Sequence, residues 1–316
     1  MEPRHDTVLL EEAVAGLDLM SGDVAVDATL GGAGHFAKML SELPEDATLV
    51  GIDADADALV RAQEVVDKAE ASQRPAVRLV NGNFRDLAQI LENEKLTPTK
   101  VLFDLGWSGF QLTNGRGFSF RADEPLLMTY GDPSAGTTAA DLVNHLSEAS
   151  LADILFSLGE ERFARSIAKS IVAFREEAPI ETTHQLVAAI AEGAPSWYQH
   201  RRLHPATKTF QALRIAVNDE LGALREGLGS ALELVPAGGR IAVITFHSIE
   251  DRIVKGMFRD AVAAGKGALL PRKPIVPSAD ELKSNPRARS AKLRLFQAGV
   301  ASANRPINLH SFPAYA

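Results

Sequence analysis

An α/β fold with a mostly parallel sheet, interrupted by an all-helical insert, follows from three observations. Short apolar runs alternate with helix-period segments through the first hundred residues. Residues 107–136, rich in Gly, Ser, Phe and Pro, then break the alternation. Helical periodicity alone continues until the apolar run "IAVITF" (241–246) restores a strand. Strands that alternate with helices pack as a parallel sheet covered on both faces.

Taken in order, "DVAVDA" (23–28) is a strand, followed by the glycine-rich "LGGAGH" and a helix over 35–43. "ATLVGID" (47–53) is a second strand, and "ADALVRAQEVVDKAEA" a helix. "AVRLVNGN" (76–83) is a third strand, "LAQILENE" a helix, and "KVLFDLG" (100–106) a fourth strand. In "EERFARSIAKSIVAFR" (160–175), Phe163, Ile167, Ile171 and Phe174 share one helical face, and Arg162, Arg165 and Lys169 the opposite one. "ETTHQLVAAIAEG" (181–193) is a helix capped by Thr182 or Thr183. From Thr207 to Val235 the apolar positions keep helical spacing as one run, which Pro236 ends. The domain reading is residues 1–111 and 206–316 as one α/β domain, with 112–205 as the helical substrate-recognition insert.

Composition bounds the function. The chain has 316 residues, 46% apolar and 23% charged, as expected of a soluble globular protein. The absence of cysteine excludes disulfides and thiolate metal sites. No apolar stretch reaches transmembrane length, and "MEPRHDTVLLEEAVAGL" lacks the pattern of a signal peptide, so a cytoplasmic protein with no membrane partner is expected. The net charge of −8 disfavours nucleic-acid binding by the whole surface. Against that background, residues 272–294 carry seven positive and two negative side chains.

"DATLGGAGH" (27–35) lies between a strand and a helix, where backbone approaches a ligand closely. Asp53 ends the next strand, where a carboxylate receives ribose hydroxyls. The loop is neither a strict G-x-G-x-x-G, since Ala33 stands at its last glycine, nor a phosphate-binding P-loop. Asp27 precedes it, and a diphosphate cofactor would be repelled there. An acidic group at this place suits a cofactor with an ammonium and a sulfonium, which favours S-adenosylmethionine over NAD. Asp104 in "LFDLGWSGFQ" is a third carboxylate, at the end of a central strand and at the expected switch point of the sheet.

With these motifs the sequence resembles the ribosomal RNA small subunit methyltransferase H family, which methylates N4 of a cytidine in 16S ribosomal RNA. The resemblance runs over nearly the whole chain. It is carried by "HDTVLLEEAV" (5–14), "DATLGGAGH", "GIDADADAL" (51–59), "RGFSF" (116–120) and "GEERFARSIAKSIV" (159–172). "HPATKTFQALRIAVNDEL" (204–221), "FHSIEDRIVK" (246–255) and "NPRARSAKLR" (285–294) continue it. It implies a class I methyltransferase sheet, Rossmann-like, with a helical insert. It also implies cofactor contacts from Ala33, Gly34, His35, Asp53, Phe84, Asp104 and Gln111. Three departures stand out. Ala33 replaces a glycine, which requires φ to be negative there. "DLGWSGFQ" places Trp107 and Gly109 at family valine and serine positions, respectively. "PLLMTY" (125–130) replaces P-L-D-M-R-M, so that Leu127, Thr129 and Tyr130 stand for Asp, Arg and Met.

Methylation of a cytosine amine needs alignment and a hydrogen bond that localises the amine lone pair. Asp104 either accepts from N4 or holds the cofactor. His247, Ser248 and Glu250, following the last parallel strand, are expected to line the base pocket, with Ser248 as a helix cap and Asp251–Lys255 as a surface pair the alternatives. Trp107 or Tyr130 is expected to stack on the flipped base or to fill its own loop. RNA phosphates are assigned to Arg162, Arg165, Lys169, Arg201, Arg202, Lys208, Arg287 and Arg289. His200 and His204 lack an acidic third ligand, so no metal is expected. The expected partner is 16S rRNA or the small ribosomal subunit, and a homodimer stays open. A dehydrogenase and a non-catalytic RNA-binding assembly factor are the rival readings, the second supported by the "PLLMTY" change.

Overall fold

The computed structural model describes residues 7–70, 74–106, 115–131, 134, 136–201 and 203–299. The chain divides into two compact units, one of residues 1–108 and 222–316, the other of residues 109–221.

The first unit holds a seven-stranded sheet in the order β3-β2-β1-β4-β5-β7-β6. Its strands are β1 (Val24–Asp27), β2 (Thr48–Asp53), β3 (Ala76–Asn81), β4 (Lys100–Asp104), β5 (Arg240–Thr245), β6 (Gly267–Leu269) and β7 (Lys292–Ala298). The first five run parallel, and β7 lies antiparallel between β5 and β6. This is the class I methyltransferase sheet that the resemblance implied. The buried strands are apolar runs, as two covered faces require. Leu49, Val50, Gly51 and Ile52 of β2 are all buried, whereas β3 at the edge alternates exposed and half-buried positions.

One face is covered by α1 (Leu10–Leu17), α2 (Gly34–Glu42) and α3 (Ala56–Lys68), the other by α4 (Leu87–Asn93), the helix from Glu220 to Leu234, and α11 (Ser248–Ala263). In α3, Ala58, Ala62 and Val66 form the buried stripe at four-residue spacing, and the Asp55 cap accepts from the Asp57 amide.

The second unit is helical: α5 (Ala139–His145), α6 (Glu148–Gly159), α7 (Ala164–Glu177), α8 (Thr183–Gly193) and α9 (Ala206–Asn218). Thr182 is the cap of α8, in a reciprocal box with Gln185. On α7, Ala164, Ile167, Ala168 and Ile171 are buried, each large aliphatic one contributing about 1.5–3 kcal/mol. The unit ends later than the insert drawn from the sequence at residue 205. Helix α9 supplies Ala206, Phe210, Ala212 and Leu213 to the helical unit's own core. The single run expected over 207–235 is also two helices. Asp219 adopts the left-handed conformation (φ 45°), and the chain restarts as α10 (Glu220–Leu234).

Candidate active site

Asp27, Asp53 and Asp104 end the neighbouring strands β1, β2 and β4. Between β1 and β4 the chain's progression across the sheet reverses, which is where an open α/β sheet forms its ligand crevice. The glycine-rich loop is bonded across all three strands. The Thr29 amide donates to Asp27 Oδ1 (3.1 Å), Thr29 Oγ1 accepts from the Asp104 amide (2.7 Å), and the Gly31 amide donates to Asp53 Oδ2 (2.9 Å). Arg61 Nε holds the Gly31 carbonyl from α3 (3.0 Å). The Asp55 amide takes the other oxygen of Asp53 (2.8 Å).

His35, in the first turn of α2, is 4% exposed, and its Nδ1 lies 3.4 Å from Asp104 Oδ2. Asp27 has no exposed surface. Asp27 Oδ2 and Asp104 Oδ1 are buried and have no hydrogen-bond partner among the described residues, while the His35 ring between them faces Asp104 on one side and the Val8 backbone on the other. Buried polar groups are almost always satisfied, so two such carboxylate oxygens in one cluster mark a place for a polar ligand. Burial pushes the Asp27 carboxyl up to about 7, against the opposing influence of His35 and the Thr29 amide. Burial pulls the His35 ring down, but Asp104 and Asp27 outweigh it and hold the ring above its ordinary value. Burial also raises Asp53, although two backbone amides oppose the shift. The cluster is acid-rich and ready to exchange a proton for a ligand cation.

Ala33 departs from expectation. Its φ is +61°, the left-handed region, and it caps α2 while 2% exposed. The required negative φ is therefore not found, and the alanine bears a conformation that costs an L-residue about 1–2 kcal/mol. The neighbouring Gly34 has a different constraint. A Cβ there would fall onto the side chain of Thr7, so the N-terminal segment lies directly against the first turn of α2.

Phe84, on the 3-10 turn Phe84–Asp86 after β3, is half-buried and meets Phe103 edge-on at 5.6 Å. Gln111 and Trp107 lie outside the described residues.

The residues after β5 do different work from that expected. His247, not Ser248, caps α11. Its Nδ1 accepts from the Glu250 amide (3.3 Å), and Glu250 Oε2 accepts from the Phe246 and His247 amides (2.8 and 3.2 Å). The Nδ1 lone pair is thereby used, which removes His247 as a base at that atom. Glu250 is 3% exposed and its Oε2 is turned onto the backbone. Asp251 pairs not with Lys255 but with Lys292 (2.8 Å) and Arg294 (2.7 Å) of β7. These cations hold it below the usual carboxylate range despite burial. Ser248 opens α11 beside this cap.

In the helical unit Tyr130 is engaged by its own loop. It stacks on Phe118 at 5.4 Å, its hydroxyl donates to Glu220 Oε1 (2.9 Å), and its amide donates to Asn218 (2.9 Å). Its expected stacking on a base is therefore replaced by loop packing. In "PLLMTY" three positions are kept from the family pattern: Leu126 and Met128 are fully buried and Pro125 is exposed, while the changed ones are partly buried. Lys208 is half-buried and uses one of its donors within the protein. Its Nζ donates to the Glu160 carbonyl at the end of α6 (2.7 Å). His204 stacks on Phe120 at 4.5 Å, and its Nδ1 accepts from the Ala206 amide. Arg162, Arg165, Lys169 and Arg201 are exposed, as are Arg287 and Arg289 on the turn Pro286–Ser290. Arg202 lies outside the described residues. Sequence reasoning missed Thr29 and Arg61, whose side chains fix the loop. Only the position of Thr29 beside Asp27 could have signalled it.

A sequence model of the MraW methylase family matches residues 2–299. A ribosomal RNA small subunit methyltransferase H from Brevibacillus brevis is 45% identical over 92% of this chain and 96% of its own. One from Deinococcus radiodurans is 46% identical over 94% of this chain and 90% of its own. A solved rRNA methylase from Streptococcus thermophilus aligns over 91% of this chain and 93% of its own, at 11% identity and a TM-score of 0.41, a distance at which it carries no argument. With a match over nearly its whole length and relatives this similar, the chain belongs to the MraW methylase family.

Proposed function

We propose that the protein transfers a methyl group from S-adenosylmethionine to the N4 amine of a cytidine in 16S ribosomal RNA, acting in the cytoplasm. The observation that carries the cofactor assignment is the pair of unpartnered buried carboxylate oxygens on Asp27 and Asp104, with His35 packed between them. When bound, S-adenosylmethionine supplies an electrophilic methyl on a sulfonium. Asp53 uses one lone pair per oxygen on backbone amides and keeps others for ribose hydroxyls. Asp27 and Asp104 would face the ammonium and sulfonium, and the same acidity disfavours the diphosphate of NAD. Phe84, half-buried after β3, offers a ring edge to an adenine. The 16S substrate is the reading that the names of the relatives support. The N4 position follows from the resemblance in "FHSIEDRIVK" and "NPRARSAKLR".

Asp104 is placed to orient the reacting groups, either by accepting from N4 or by holding the cofactor. The assembly-factor alternative draws on Leu127, Thr129 and Tyr130, and the complete acid cluster argues against it. The test is to delete the gene, map N4-methylcytidine in small-subunit RNA by mass spectrometry, and complement with wild type and with Asp104→Ala. Loss of one modified cytidine, restored by wild type alone, is expected. An unaltered modification map after deletion would defeat the proposal.

A further inference from the structure

Building on the RNA-substrate reading above, we propose that Trp197 is a stacking platform for an unpaired nucleobase of the RNA, with Arg162 and Arg201 taking the adjoining phosphates. Trp197 lies on the 3-10 turn Ser196–His200 and is 50% exposed. It is held there by two rings. It meets Phe163 edge-to-face at 5.7 Å and 74°, and Tyr198 at 5.8 Å and 83°. Those two meet each other at 5.0 Å and 72°. Three mutually crossed rings favour a fixed indole over one that folds away.

The support beneath is polar and buried. Tyr198 is 4% exposed, and its hydroxyl donates to Oε2 of Glu161, which has no exposed surface (2.8 Å). The other oxygen of Glu161 accepts from the Phe163 amide (2.8 Å). Burial and Glu161 push the Tyr198 hydroxyl up to about 12, so it stays a donor at every working pH. One carboxylate thus ties the turn carrying Trp197 to the start of α7.

One cation lies over the exposed ring and a second over its neighbour Tyr198. The Arg162 guanidinium lies 5.4 Å from the Trp197 ring centre and 4.8 Å from that of Phe163, and Arg201 lies 5.7 Å from that of Tyr198. Arg165 and Lys169 are exposed further along α7. None of these four makes an ion pair among the described residues. The exposed ring of Trp197 beside uncompensated cations matches a nucleotide, which offers a π surface and an anion together. A paired base has its faces covered by its neighbours, so the matching ligand is unpaired RNA.

The test uses the full chain and fluorescence anisotropy with two labelled probes, an unstructured oligocytidylate of about 12 nucleotides and an RNA duplex of equal length. Trp197→Leu keeps apolar packing against Phe163 and Tyr198 but removes the stacking face. It should weaken binding of the unpaired probe about tenfold, leaving duplex affinity and salt dependence at wild-type values. Trp197→Phe should recover most of the loss. Arg162→Ala should instead lower the salt slope by about 0.7 for the lost phosphate contact. Wild-type affinity of Trp197→Leu for the unpaired probe would overturn the proposal. So would an equal loss for both probes, or a loss seen only with a small-subunit protein. A wild-type chain that transfers no methyl yet shows Trp197-dependent binding of unpaired RNA would refute the enzymatic reading and uphold the platform.

Discussion

Asp27→Asn should make the protein more stable while weakening its hold on the proposed S-adenosylmethionine. The folded Asp27 titrates at about 7, against an ordinary value of 3.8. Between those values the folded chain keeps a proton that the unfolded chain releases. Stability therefore falls as pH rises through this window, and the deficit is complete above pH 7. A separation of this size corresponds to about 4 kcal/mol. Asparagine keeps a carbonyl oxygen for the Thr29 amide and has no charge to bury. At pH 5 the variant should already exceed wild type by about 1.5 kcal/mol, and at pH 8 by about 4 kcal/mol, or roughly 6–12 °C in Tm. His35, held above its ordinary value by Asp104 and Asp27 against burial, acts in the same direction. Its contribution is present below 6.5 and is lost as pH rises through the folded value. The assay is thermal melting from pH 5 to 8.5, with and without S-adenosylhomocysteine, which keeps the ammonium. Wild-type binding should tighten as pH rises through 7, while the variant should bind more than about tenfold more weakly at pH 8. A variant destabilised equally at both pH values, or one that binds the ligand as wild type does, would refute the reasoning.

Three further outcomes are expected. Ala33→Gly should be near neutral in melting experiments, since relief of about 1–2 kcal/mol of backbone strain is offset by loss of a buried methyl and a freer unfolded chain; Ala33→Val, branched at the same positive φ, should cost more than about 2 kcal/mol. Arg294→Ala leaves the carboxylate of Asp251 short of its buried partner and should cost about 3 kcal/mol in denaturant unfolding, with Asp251→Asn in the same background recovering part of it. Lys208→Ala should cost about 1 kcal/mol of stability and leave the salt dependence of RNA binding unchanged, whereas Arg165→Ala should lower the salt slope at unchanged stability.

The parallel sheet was legible because buried strands must be apolar and must alternate with helices. The three aspartates were legible because a carboxylate at the end of an apolar run is conspicuous. What the sequence hid is what depends on distant partners. Nothing local in "HSIED" reveals that Nδ1 of His247 takes the Glu250 amide, since serine is the commoner cap. The basic character of 285–294 reads as a solvated surface, yet Arg294 is 7% exposed and pairs across to α11. Tyr130 reads equally as a base-stacking ring and as filler, and only its partners Phe118 and Glu220 decide. Ala33 misled for a different reason: alanine gives no sign of a positive φ, which only the surrounding packing imposes.

The Leu9 amide at the head of α1 donates to Glu281 at 2.8 Å, a bond that spans 272 positions of chain. Two residues earlier, Thr7 rests on Gly34 in the first turn of α2, next to His35 of the aspartate cluster. A ribosome making this protein must therefore extrude helix α12 (Ala279–Ser284) before the opening residues can settle. On the proposed function, a nascent chain halted short of residue 279 should retain less S-adenosylhomocysteine on a filter than one extended past residue 284.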